Sequence, residues 1–154
     1  MSLIHSTTGA VHLVAALVAL AAGSIVLLLP KGDLLHRRTG YVFAVSMALL
    51  NATAFAIYDL LGHFGPFHVA AAVSSLTLGL GMLAVWRRRP DWYVQHYYFM
   101  GWSVVGLYAA FVAETGVRFL PMQLFWPFVM GASIAVALAG NWQIRRHAPR
   151  HDPA

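Results

Sequence analysis

The side chains of this 154-residue sequence that can do chemistry are chiefly histidines, eight of them, in a chain with no cysteine. Without thiolates there are no disulfides, iron–sulfur clusters or cysteine-held zinc, so any metal must be taken by imidazole, carboxylate or thioether. His12, His36, His68 and His96 stand inside or beside long apolar runs, and Glu114 stands near the end of another. Pairs of imidazoles at matching depth suit axial ligation of a haem: His12 with His68, and His36 with His96. The set of His12, His68 and Glu114 suits a zinc ion with an open water position, since two imidazoles and a carboxylate form a known catalytic donor set.

Each residue also has a plain reading. Glu114 can pair with Arg118 four residues on, one helical turn away. His36, followed by Arg37 and Arg38, can sit among lipid phosphates. His5, His147 and His151 fall in terminal segments and read as solvated. Met47, Met82 and Met100 read as gap-filling core residues. Asn51 reads as an interhelical hydrogen-bonding group. Phosphate-loop, nucleophile-elbow and H-E-x-x-H motifs are absent, which leaves those chemistries without local support.

The elements that position these groups are membrane spans. The chain is 60% hydrophobic and only 10% charged, far below the roughly 25% charge of soluble domains. Apolar runs cover about 9–29, 38–61, 67–86, 92–113 and 124–144, with a polar tail at 145–154. Each is near the roughly 20 residues a span requires. The expected fold is therefore all-α, a single domain of five transmembrane helices. The first run reads as a retained helix rather than a signal peptide, because no Lys or Arg precedes it and no small-residue cleavage site ends it.

Nine of the ten Lys and Arg residues fall on one side of this topology, and Arg118 alone on the other. Short basic loops stay in the cytoplasm, so the N-terminus is expected outside and the C-terminus inside a bacterial inner membrane. The basic pI, near 10.1, is explained by the same loops. The lipid bilayer is the expected partner, with a redox partner or small-molecule substrate left open, and nucleic acid is not expected.

An internal repeat is also legible. At an offset of 56, His12 matches His68, Ala15 Ala71, Ala16 Ala72, Leu20 Leu76, Gly23 Gly79 and Leu27 Leu83. These steps of three, four, seven and eight keep to one helical face. Four of the helices then form a pseudo-two-fold hairpin repeat, with equivalent residues opposed across an axis along the membrane normal. The small residues beside His12 and His68 would leave space for a close helix or a flat ligand.

The segments Lys31-Gly32, His36-Arg37-Arg38-Thr39-Gly40, Phe67-His68 and His96 to Arg118 resemble the bacterial membrane-protein family known as domain of unknown function 2306. That resemblance covers nearly the whole chain and implies a small multi-helix inner-membrane protein, with no activity attached. The placement of the histidines is also similar to that of the cytochrome b561 class, in which alternate helices share two haems. Three functions follow as expectations: b-type haem electron transfer, a zinc site acting as a membrane hydrolase or metal-binding protein, and a structural or accessory membrane protein without cofactor.

Overall fold

A computed structural model describes residues 6–57 and 62–149. Asp59, His5, His151 and the end of the basic tail lie outside the described residues. Helices account for nearly all of what is described, and no strand occurs among the described residues.

Helix α1 spans Thr7–Leu28, and the Ser6 side chain caps it by accepting the Gly9 N–H at 3.1 Å. Its far end is closed by Lys31, whose Nζ donates to the carbonyls of Val26 and Leu27, both at 2.9 Å. Partial burial lowers the pKa of that ammonium from the usual lysine value. Helix α2 spans Leu34–Ala54. It starts earlier than the apolar run suggests because Asp33 caps it, accepting the His36 N–H at 2.6 Å. It also ends earlier, at Ala54. The bonding tightens there to a three-residue step, with the N–H of Ala56 on the Thr53 carbonyl and that of Ile57 on the Ala54 carbonyl.

Helix α3 spans Pro66–Arg87, with proline at its first position, where no N–H partner is needed. Helix α4, Trp92–Val117, runs one turn further than expected, through Glu114. A 3₁₀ turn at Met122–Leu124 leads into α5, Phe125–Arg146. Among the described residues, four of the five helices, α1, α3, α4 and α5 with its preceding turn, are long and apolar enough to cross a membrane. Five spans were expected, and α2 is the exception by hydropathy. Its 21 residues are long enough, but His36, Arg37, Arg38 and Asn51 lie within it.

The chain divides into two units, Met1–Leu78 and Gly79–Ala154, with the boundary inside α3. In the first, α1 and α2 pack closely. Ala15, Ala19, Ala22, Gly23 and Val26 are buried along α1, as are Phe43, Met47, Leu50 and Asn51 along α2. Asn51 Nδ2 donates to Ser74 Oγ at 3.2 Å, tying α2 to the first part of α3, as its sequence position suggested.

In the second unit α4 and α5 form the close pair. Its seam sets glycine on one helix against a larger side chain on the other. Gly116 faces Phe128, Gly140 faces Val105 and Gly101 faces Ile144. Tyr97 Oη closes the end of the seam by donating to the Ile144 carbonyl at 2.8 Å.

The matching faces of α1 and α3 differ in exposure. The small face of α1 is spent on α2, whereas its counterpart on α3 exposes Ala72, Leu76 and Gly79. A Cβ at Gly79 would meet nothing within 4 Å. Helix α4 packs along α5 and also meets α3 at Gly81. Alanine and leucine match by abundance alone in apolar helices, so a shared offset does not carry shared packing.

Candidate functional site

What a histidine can do depends on which ring nitrogen keeps its lone pair, and hydrogen bonding decides that. His12, in the second turn of α1, is half-buried, with Nδ1 3.0 Å from Thr53 Oγ1 near the end of α2. The single hydroxyl proton of Thr53 goes to the carbonyls of Leu49 and Leu50, both at 2.9 Å. With its proton so used, the Thr53 oxygen accepts from His12 Nδ1.

His96 also donates from Nδ1, in the second unit. Its half-buried ring places Nδ1 3.0 Å from the Gly81 carbonyl. A carbonyl only accepts, so Nδ1 carries the proton and Nε2 the lone pair. The approach depends on glycine at position 81, where an added Cβ would stand 2.7 Å from Met100 Sδ and 3.3 Å from Phe99 Cβ. An Nδ1–H held by a protein oxygen is the arrangement that orients a metal-ligating imidazole.

His68 is in the opposite state. It is the third residue of α3, buried, and its Nδ1 accepts the backbone N–H of Gly65 at 3.1 Å. The neutral ring then carries its proton on Nε2. Phe64 stacks on it with ring centroids 4.8 Å apart. This is a helix cap in which the third residue reaches back to the residue before the helix. His68→Ala is expected to destabilise the fold by about 1 kcal/mol, as a lower thermal midpoint with unchanged helical content.

His36 is also third in its helix and half-buried, and its backbone N–H is what Asp33 captures. Glu114 receives Arg118 NH2 at 2.8 Å, so the plain reading of that carboxylate is realised. Among the described residues no three His, Asp or Glu side chains gather as a metal-holding group. His63 and His147 also bond carbonyls through Nδ1, at 2.9 and 3.0 Å, but both are exposed beyond the helix ends.

The two partners that set the histidine tautomers, Thr53 and Gly81, were not singled out from sequence. Thr53 carries a weak signal, since a mid-helix threonine returns its hydroxyl to the preceding turn. Gly81 looks like any glycine in an apolar run.

Neither the curated proteins nor the solved structures contain a match to this chain. A family model described as "Predicted membrane protein (DUF2306)" matches residues 9–147, and the chain belongs to that family.

Proposed function

We propose that the protein is a membrane-embedded electron carrier with b-type haem, in which His96 supplies an imidazole ligand through Nε2. The observation that carries this reading is the bond from His96 Nδ1 to the Gly81 carbonyl at 3.0 Å, at a point where glycine lets two helices meet. A half-buried imidazole with its Nδ1 proton held by the backbone has its coordinating nitrogen oriented in advance. Haem fits this donor set better than zinc. A porphyrin brings four nitrogens of its own and asks the protein for one or two imidazoles, whereas a bare zinc ion needs three or four ligands. Bound haem would supply one-electron chemistry at iron. Within the chain, the Gly81 carbonyl holds the His96 tautomer.

The zinc reading built on His12, His68 and Glu114 has less support, because His68 Nδ1 is used on Gly65 and Glu114 is paired with Arg118. These same two contacts favour a second reading, an accessory membrane protein whose polar groups serve the fold. The deciding measurement is the absorption spectrum of protein purified after expression with added haem precursor. A Soret band at stoichiometric haem is expected, and a featureless spectrum would sink the reading in favour of the accessory one.

The distribution of Lys and Arg supports a bacterial inner-membrane location with the N-terminus outside and the C-terminus in the cytoplasm. A reporter active only in the cytoplasm, fused after residue 149, is expected to be active. A silent cytoplasmic reporter with an active periplasmic one would reverse this topology.

A further inference from the structure

The run Arg87-Arg88-Arg89 joins α3 to α4, both of them long and apolar enough to cross a membrane, so it lies at a membrane interface. In a continuing helix, Arg87 and Arg89 would point about 200° apart. Arg88 prevents that by adopting a left-handed backbone at φ 44°. Its own side chain goes over the Trp92 ring, 5.8 Å from the centroid. Arg87 and Arg89 thereby line one cleft of about 100 Å³.

The floor of the cleft is apolar, made by Leu80, Leu83, Ala84 and Phe99, while Trp92 and Gln95 complete its polar rim. Among the described residues neither Arg87 nor Arg89 is in an ion pair or a side-chain hydrogen bond. The other basic runs differ. Arg37 Nε donates to the Gly32 carbonyl at 3.2 Å, Arg145 Nε donates to Asn141 Oδ1 at 3.2 Å, and Arg146 covers Trp142 at 5.1 Å.

We propose that this cleft is a binding site for an anionic phospholipid, with the phosphate between Arg87 and Arg89 and the start of an acyl chain along Leu83 and Phe99. The shared chemistry is phosphate recognition by two guanidiniums, which suits planar, multidentate donors. Lipid rather than free phosphate is the occupant because the charged rim continues into an apolar wall at the membrane surface. Trp86 and Tyr93, both exposed, stand where headgroup-level aromatics are placed.

The test uses the full chain in neutral detergent, titrated with phosphatidylglycerol, phosphatidylcholine or inorganic phosphate, and followed by native mass spectrometry and thermal unfolding. Phosphatidylglycerol is expected to be retained roughly tenfold more tightly than phosphatidylcholine. The Arg87→Gln/Arg89→Gln pair should abolish that preference, and Arg145→Gln/Arg146→Gln should keep it. Gln95→Trp, which fills the cleft from an exposed position without changing charge, should also abolish it. That variant carries the test if the double-arginine variant does not fold.

Equal retention of the two lipids would overturn the proposal, as would unchanged phosphatidylglycerol retention in Gln95→Trp. Equal loss in the Arg145/Arg146 variant would mean diffuse charge attraction, and displacement by equimolar inorganic phosphate would mean a soluble-phosphate site; either also overturns it.

Discussion

Replacing His96 with alanine is expected to remove the Soret band, taking bound haem at least tenfold below the unsubstituted protein while helical content stays the same. The imidazole is half-buried, and its Nδ1–H is held by the Gly81 carbonyl, so under the haem proposal its loss deletes an oriented ligand. Gly81→Val should lower haem affinity without touching the ligand, by roughly 10- to 100-fold, the range found when an outer partner of a metal ligand is disturbed. Its side chain would collide with Met100 and Phe99 and move α4 off the carbonyl. His68→Ala is the contrast, since its Nδ1 serves Gly65. It should cost stability and leave haem content unchanged. A full Soret band in His96→Ala would refute the ligand assignment, even with haem present in the unsubstituted protein.

Gly140→Val is expected to lower stability by about 3 kcal/mol, at the upper end of what overpacking costs, read as a depressed thermal midpoint in detergent. A Cβ at position 140 would run into the Val105 side chain across the α4–α5 seam. Valine cannot easily rotate out of the way, because branching at Cβ leaves one favoured rotamer in a helix. Nor can a hydrophobic driving force compensate, since lipid is as apolar as the seam and close backbone approach is what holds such helices together. Gly131→Val on the same helix is the control, because an added Cβ there meets nothing within 4 Å. Equal destabilisation of the two variants would show that loss of glycine, rather than the seam, is responsible.

The positions of the spans were legible because each requires its own run of apolar residues, a local property that survives any arrangement of neighbours. Proline and aspartate at the turns marked starts to within a few residues. The start of α2 was misplaced because Asp33 gathers Leu34 to Arg37 into the helix ahead of the apolar stretch. The four histidines were legible as candidates for a simpler reason: polar groups are expensive in apolar helices and so stand out.

Which histidines can act as ligands was not legible. His12 and His68 occupy matching positions in the proposed repeat, yet one donates from Nδ1 to Thr53 and the other accepts at Nδ1 from Gly65. The first partner is 41 residues away in the sequence and the second only three.

By itself, then, the sequence determined that this is an all-α membrane protein, where its helices run, and which residues are too polar to be there without cause. The tertiary structure alone decided that α1 is spent on α2 and α4 on α5, that Gly81 can receive His96, and that Arg87 and Arg89 share a cleft. The physical reason is that hydropathy is summed along the chain, whereas a proton's location and a guanidinium's direction depend on one or two atoms contributed by a distant turn or a single reversed backbone angle.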